Sequence, residues 1–358
     1  MRTILDEVDP VEIRPAYKSI FRELQRGKAL EPMVFFQGCY LLSLDGTGFF
    51  SSKKIFSDNC LEKVNKKTGE ITYYQQMLGA AIVHPGFKEV IPLAPEFIIK
   101  QDGQSKNDCE RNAAKRFFGK LREDHPHLPL IITEDALSSN APHIREAEKY
   151  NLHYILGVKK GDHPFLFKKV EEAQKNGEAI QFDLVDKDDP QKTHRFLFLN
   201  QVPLNESNQD LLVNFLEYWE ITPEKKQHFS WVTDFTITND NAYELMQGGR
   251  ARWKIENETF NTLKNQGYHF GHNYGLGKKN LSVVFTMLMM LAFLVDQTQQ
   301  LCCPLFRATW HKLGSKRELW DRMRSLFRDF AFKSMMVLYE ALFYGIKFQP
   351  PIILYDGG

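Results

Sequence analysis

The sequence predicts an α/β protein in which a mixed β-sheet is flanked by helices. Apolar runs with the length of buried strands recur along the first half of the chain, and stretches with helical spacing alternate with the later runs. The predicted strands are 39–44, 73–83, 89–99, 127–133 and 154–158, and the predicted helices are 13–28, 106–121 and 142–150. In addition, acidic residues directly follow two of the predicted strands.

The first strands are predicted from apolar runs bounded by turn residues. The run 39–44 ends on Asp45 and Gly46, which is how a buried strand meets a turn. Strands 73–83 and 89–99 are separated by Pro85 and Gly86, which suit a hairpin. After a helix, the run 127–133 ends next to Asp135, and Asn140 then offers an N-cap for the following helix. The predicted order is therefore three antiparallel strands, a helix and a further strand.

Changes in the pattern of predicted strands and helices divide the chain into five predicted segments. They are a helical lead-in (1–38), a first core part (39–158), a β-rich insertion (159–228), a second core part (229–300) and a helical C-terminal region (301–358). The insertion is expected to lie outside the core sheet. A length of 358 residues suits one enlarged core as well as two domains, so the number of domains stays open.

The composition is that of a globular chain without a secretion signal. Hydrophobic residues make up 43% and charged residues 25%, and the net charge of +1 identifies no partner. Five scattered cysteines do not form a disulfide framework. The most apolar stretch, 281–295, is shorter than the roughly 20 residues that cross a bilayer. We therefore expect a cytoplasmic protein in which this stretch is a buried core helix without membrane contact.

Three acidic residues are candidates for a shared metal site. Cleavage of phosphodiesters commonly uses Mg²⁺, which a few carboxylates hold together with waters and phosphates. Asp45 and Asp135 each end a predicted strand, and Glu256 lies in a predicted helix over 242–265, four residues after Arg252. Each residue taken alone is more often a turn residue, a cap or half of a helical ion pair.

Five segments in a fixed order carry a family resemblance. They are LLSLDGTGFFSSKKI, YYQQMLGAAIVHPG, LIITEDALSSNAPHI, WVTDFTITNDNAYEL and RARWKIENETFNTLKNQGYHFGHNYGLGKKNLS. Together the segments resemble the DDE transposases of bacterial insertion sequences, in the group with a Tyr-x2-Arg-x3-Glu-x6-Lys (YREK) signature. The resemblance spans nearly the whole chain.

The resemblance implies a fold, an activity and partners. The fold would be an RNase H-like core with a β-rich insertion between the second and third acidic residues. Asp45, Asp135 and Glu256 would bind two Mg²⁺ ions, or Mn²⁺ in their place. The activity would be metal-dependent cleavage of double-stranded DNA at transposon ends, followed by strand transfer into target DNA. The protein would act as a homodimer on DNA, in the bacterial cytoplasm at the nucleoid.

The chain departs from the signature at two positions. Gly249 stands in place of the tyrosine, and Lys264 lies one residue beyond the lysine position, which Leu263 occupies. At roughly 100° per residue this displacement is expected to turn the lysine around the helix. Glu258 is a nearby alternative to Glu256.

Four basic residues are candidates for DNA contact. Arg252 and Lys264 follow from the resemblance. Lys278 and Lys279 lie in a glycine-rich loop whose backbone amides and lysines suit a phosphate, although a solvated loop is the alternative.

Two other functions are compatible with the same residues. Only about forty residues precede Asp45, fewer than such transposases usually carry for recognising DNA ends. The chain could therefore be a truncated derivative that inhibits by binding DNA or by dimerising. A related RNase H-like nuclease that cuts without joining is the second alternative.

Overall fold

The computed structural model describes residues 2–98, 100 and 109–345. Its strands are β1 (Val34–Phe36), β2 (Cys39–Ser52), β3 (Leu61–Val64), β4 (Ile71–Val83), β5 (Ile91–Pro92), β6 (Glu96–Ile98), β7 (Leu130–Glu134), β8 (His153–Gly157), β9 (Ile180–Val185), β10 (Thr193–Asn205), β11 (Asn208–Ile221) and β12 (Lys226–Thr233). Its α-helices are α1 (Arg2–Asp6), α2 (Arg14–Arg26), α3 (Glu110–Asp124), α4 (Ala141–Lys149), α5 (Pro164–Lys175), α6 (Ala242–Ala251), α7 (Asn261–Asn265), α8 (Leu281–Cys302), α9 (Pro304–Leu313), α10 (Lys316–Asp329) and α11 (Met335–Tyr344).

The described strands form one mixed sheet, which confirms the predicted α/β class. The strand order is β3-β4-β2-β7-β8-β12-β11-β10-β9, with β1 on β2 and both β5 and β6 on β4. The pairs β2–β7 and β7–β8 are parallel, and the other pairs are antiparallel. Every residue of β7 is buried, as expected for a strand covered on both faces. The predicted strands 39–44, 73–83, 127–133 and 154–158 correspond to β2, β4, β7 and β8. The predicted turn at Asp45 and Gly46 is wrong, because β2 continues through both residues to Ser52 and stays paired with β4.

The predicted strand 89–99 is wrong in its length. The structure has two short strands there, β5 and β6, both antiparallel to β4. Pro92 and Pro95 have no backbone N–H to donate, so they interrupt a continuous ladder. The last predicted residue, Ile99, lies outside the described residues.

The expectation that residues 159–228 lie outside the core sheet is wrong. Strand β12 pairs with β8 through Trp231↔Gly157, and β11, β10 and β9 follow in antiparallel order. This segment is rich in β-structure, but its strands extend the sheet. The segment also contains helix α5, which buries Leu166, Phe167, Val170 and Ala173.

Helices cover both faces of the sheet. The predicted helix 13–28 is α2, which buries Tyr17, Phe21 and Leu24. The predicted helix 106–121 is α3, whose predicted start at Lys106 lies outside the described residues. In α4, the Asn140 side chain accepts a hydrogen bond from the His143 amide, which confirms the predicted N-cap. Helices α9–α11 pack around a separate apolar cluster that includes Phe306, Trp320 and Tyr339.

Helix α8 has the length and hydropathy of a possible membrane span. Half of its most apolar window is buried inside the protein, and it packs against α1, α2 and β5. Among the residues described, it is the one helix that passes this test. The buried half shows that the helix forms part of the core, as expected from the sequence.

The predicted helix over 242–265 is divided into three pieces. Helix α6 ends at Ala251, a π-helix spans Ile255–Phe260, and α7 follows directly. A π-helix accommodates one residue more per turn than an α-helix, and π-turns inside helices are frequent at functional sites.

Candidate active site

Asp45 and Asp135 are brought together by the register of two parallel strands. Ser43 of β2 lies opposite Thr133 of β7, so the two aspartates follow two residues later at the same level of the sheet. Neighbouring strands lie about 4.8 Å apart. Both aspartates line one cleft of about 590 Å³. The sequence prediction that these two acids share a site is therefore consistent with the geometry.

Glu256 joins Asp45 through a shared arginine. The Nη1 atom of Arg252 lies 2.8 Å from Glu256 Oε1 and 3.4 Å from Asp45 Oδ2. Arg252 is largely buried, with 12% of its side chain exposed, so its charge is little screened by solvent. The backbone carbonyl of Arg252 also accepts a hydrogen bond from the Ser43 hydroxyl at 3.0 Å. These contacts fix the π-helix against β2.

The Asp45 carboxyl has a strongly perturbed proton affinity. Burial raises its pKa, and the adjacent Glu256 carboxylate raises it further by hydrogen bonding and by charge. The Arg252 guanidinium and the Gly46 amide act in the opposite direction, and the net pKa stays raised. Two acids therefore crowd a site in which one arginine does not fully compensate their charge.

The Asp135 region is held by a buried ion-pair network. Glu134 is buried, lies 2.7 Å from His143 Nε2 and accepts a hydrogen bond from Ser138 Oγ at 2.5 Å. Burial lowers the pKa of His143, but the charge and hydrogen bond of Glu134 outweigh it, so the pKa is raised. One oxygen of Asp135 accepts a hydrogen bond from the Leu137 amide at 2.9 Å, which shapes the turn after β7. The hydrogen bond from Leu137 uses Oδ1 of Asp135 and does not involve Oδ2.

Glu110 is a fourth acid at the cleft that sequence reasoning missed. The residue is exposed, but its carboxylate packs so closely on Gly46 that a Cβ atom there would collide with it. Burial raises the Glu110 pKa, and the charges of Asp135 and Glu134 raise it further. Glu110 begins α3 and lies far in sequence from both predicted strand ends. The one hint in the sequence was Gly46, whose lack of a side chain leaves room for another group.

A second glycine lets the π-helix approach the sheet. Gly79 of β4 lies opposite Asp45 in the ladder. A Cβ atom at Gly79 would lie 2.7 Å from two ring carbons of Phe260. The absence of that atom allows Phe260 to pack on β4 and sets the depth at which Glu256 sits.

Lys264 is directed back towards the site, against the expectation from its displaced position. Its Nζ donates a hydrogen bond to Thr47 Oγ1 at 2.8 Å, two residues beyond Asp45. The π-helix takes up the extra residue, so the lysine is not turned away from β2. Leu263, which stands at the signature position, is fully buried.

The other departures from the signature also have structural reasons. The Trp231 indole lies directly over Gly249 and leaves no room for a side chain there. The charge of Glu258 acts on Lys254 and Lys316, whereas Glu256 acts on Asp45 and Arg252. Glu256 is therefore the acid that belongs to the site.

The loop at Lys278 and Lys279 is not available in the form expected for phosphate binding. The backbone amides of 278, 279, 280 and 281 donate to the Asp6 carboxylate at 2.7–3.0 Å. The Lys279 side chain pairs with Glu7. The expectation of a phosphate-gripping backbone loop is therefore wrong, because the N-terminal segment supplies the anion itself. The lysine side chains are exposed.

The donor set suits a hard divalent cation, although its groups are not pre-arranged. Asp45, Glu110, Asp135 and Glu256 offer only carboxylate oxygens, which are ligands that Mg²⁺ prefers. Within the described residues, no three acidic, histidine or cysteine side chains are already grouped closely enough to hold a metal ion. Arg252 lies between two of these carboxylates, so ligation by both requires the guanidinium to shift.

Comparison of the chain with models of known protein families and with curated proteins gives no match.

Proposed function

We propose that this protein is a metal-dependent DNA transposase of the DDE type, with Asp45, Asp135 and Glu256 as metal ligands. The observation that carries the proposal is the position of Asp45, which shares one cleft with Asp135 at the end of β7 and shares the Arg252 guanidinium with Glu256 of the π-helix. The order of antiparallel strands, a helix and parallel strands is compatible with the RNase H-like core that the resemblance implies.

Mg²⁺ bound by these carboxylates would supply Lewis-acid activation of water and of the scissile phosphate. The protein's own groups prepare the site for this chemistry. Arg252 holds Asp45 and Glu256 at a common position and offers a guanidinium to a phosphate oxygen when it leaves them. The Glu134–His143 pair stabilises the turn that presents Asp135. Lys264 fixes α7 to β2 beside the site.

The test is Mg²⁺-dependent nicking and strand joining on DNA that carries the element's own ends. Asp45→Asn, Asp135→Asn and Glu256→Gln keep size but remove the charge that a cation needs, so cleavage should fall by at least about a hundredfold. DNA binding, measured by gel shift, should survive because phosphate repulsion decreases.

Glu258→Gln is the matched control for Glu256→Gln, because it removes an acid two residues away whose charge acts on Lys254 and Lys316. It should cleave at nearly the rate of the unmodified chain. Equal cleavage after substitution of all three ligands would remove the acidic site from the proposal.

A second candidate function is DNA binding without cleavage, as in a truncated or inhibitory derivative. One observation favours it: Arg252 already pairs with both Asp45 and Glu256, in the place where a metal ion would have to bind. An unmodified chain that binds cognate ends but neither nicks nor joins them in Mg²⁺ or Mn²⁺ would favour this function. Nicking without joining would indicate a nuclease.

A further inference from the structure

A row of side chains on β4 leads from the acidic cleft to a lysine-bearing edge of the sheet. Alternate residues of β4 point to one face, and Thr72, Tyr74, Gln76 and Leu78 share that face. We call these four residues the β4 trough. Tyr74, Gln76 and Leu78 line the cleft that contains Asp45, and Thr72, Tyr74 and Gln76 line a second cavity of about 1040 Å³. Because Tyr74 and Gln76 belong to both, the two cavities adjoin along β4.

The far end of the trough carries two exposed lysines. Lys63 and Lys66 line the second cavity, and both are exposed. The nearby acids have other lysine partners, since Glu62 pairs with Lys100 and Glu70 pairs with Lys53. Within the part of the chain that the structure describes, Lys63 and Lys66 have no carboxylate in ion-pair distance.

The near end of the trough also carries a cation. Arg111 follows Glu110 at the start of α3, lines the acidic cleft and is exposed. From Thr72 to Leu78 the strand extends about 20 Å, at roughly 3.3 Å per residue. Duplex DNA rises about 3.4 Å per base pair, so the trough matches about six base pairs of backbone.

We propose that the β4 trough holds the DNA flank next to the scissile phosphate, with Lys63 and Lys66 contacting backbone phosphates. This rests on the proposed function, because it takes the acidic cleft as the place of cleavage. A polyanion fits the far end of the trough, where Lys63 and Lys66 stand beside the polar side chains of Thr72, Tyr74 and Gln76. At the near end, Arg111 stands beside the acids to which the proposed function assigns metal ions. The contacts are to phosphate, so they should be independent of sequence.

The test measures binding of a fluorescently labelled duplex by anisotropy in Ca²⁺, over a series of salt concentrations. Lys63→Gln/Lys66→Gln should weaken binding roughly tenfold near physiological salt and reduce the slope of log K against log salt by about two. Both lysines are exposed, so the variant should keep the melting temperature of the unmodified chain.

The matched control is Lys168→Gln/Lys175→Gln, which removes two exposed lysines from α5, outside both cavities. Its affinity and salt slope should stay close to those of the unmodified chain. Equal losses in both double variants, or a trough variant with unchanged slope, would overturn the assignment of the trough.

Cleavage assays separate this inference from the proposed function. If the trough variant binds DNA normally and Asp45→Asn abolishes cleavage, the proposed role of the trough is wrong and the proposed transposase function stands. If the trough variant binds DNA weakly and the unmodified chain never nicks DNA, the trough stands as a DNA-binding surface and the proposed transposase function is wrong.

Discussion

At the residue scale, two missing Cβ atoms decide how closely the acids approach one another. Gly46 makes room for the Glu110 carboxylate, and Gly79 makes room for the Phe260 ring. The two obstructions differ physically, because a carboxylate at the end of a flexible side chain can move and a packed ring cannot move without its helix. The sequence shows both glycines but not what lies above them.

Gly79→Ala should destabilise the protein and impair the site together. The added methyl group would lie 2.7 Å from Phe260, and overpacking of this kind costs about 1–3 kcal/mol. Relief of that contact would displace the π-helix and, with it, Glu256. We expect a lower free energy of unfolding in urea and slower Mg²⁺-dependent nicking.

Gly48→Ala, on the adjacent strand β2, is the control for Gly79→Ala. Its Cβ would meet only the Gln75 carbonyl oxygen, at 3.8 Å, so the free energy of unfolding should stay the same or rise slightly. If both alanine variants lose equal stability, the close packing of Phe260 on β4 is not the cause.

At the element scale, the half-buried Asp296 joins α8 to the C-terminal helices. The Tyr268 hydroxyl donates a hydrogen bond to Asp296, and Lys316 of α10 acts on the same carboxyl group. Burial raises the pKa of Asp296 to about 7, although Tyr268 and Lys316 both lower it. Burial also lowers the pKa of Lys316, which Asp296, Glu89 and Glu258 partly restore.

This junction predicts a defined pH dependence of stability. The folded pKa of Asp296 exceeds its unfolded value of 3.8, so the folded state binds the proton more tightly. The contribution of Asp296 to stability is therefore present at low pH and is lost as the pH rises towards 7. Asp296→Asn should remove this loss, so that the advantage of the variant in melting temperature grows between about pH 4 and pH 7 and stays constant above that.

Asp321→Asn is the control for this comparison, because Asp321 is exposed on α10. Its melting temperature should follow that of the unmodified chain at each pH. A parallel pH dependence in the Asp296→Asn protein would show that this carboxyl group is not the source.

At the scale of the whole molecule, the strands after α5 are built into the same sheet as the acidic site. Asn214 of β11 is 1% exposed and ties three backbone groups together. It accepts a hydrogen bond from the Gln201 amide and donates to the carbonyls of Asp234 and Phe235. These bonds connect β10 and β11 to the chain that leads from β12 into α6.

Asn214→Ala should therefore lower the free energy of unfolding of the whole sheet by about 2–4 kcal/mol, because buried backbone groups lose their partners. Chemical denaturation followed by tryptophan fluorescence would measure the change. Gln209→Ala, at an exposed position of the same strand, should have almost no effect. Loss of β9–β11 in a separate early transition would indicate that this segment unfolds independently of the sheet.

The sequence by itself determined the class of the fold and most of its elements. The short apolar runs at 39–44 and 130–133 are buried strands, as their length predicts, and Asn140 caps α4 as its chemistry requires. Asp45, Asp135 and Glu256 were also identified as a candidate site, because the two aspartates follow apolar runs and Glu256 stands four residues after an arginine, although Asp45 lies within β2 and not at its end.

The tertiary structure alone decided the features that depend on contacts distant in sequence. Only the packed molecule shows that β9–β11 join the sheet, since pairing of β12 with β8 depends on register and not on local composition. The same holds for Glu110 over Gly46, and for Asp6, which takes the backbone amides of the 278–281 loop. Hydrophobic periodicity reports which side of an element is buried, but not which distant carboxylate or ring will meet it there.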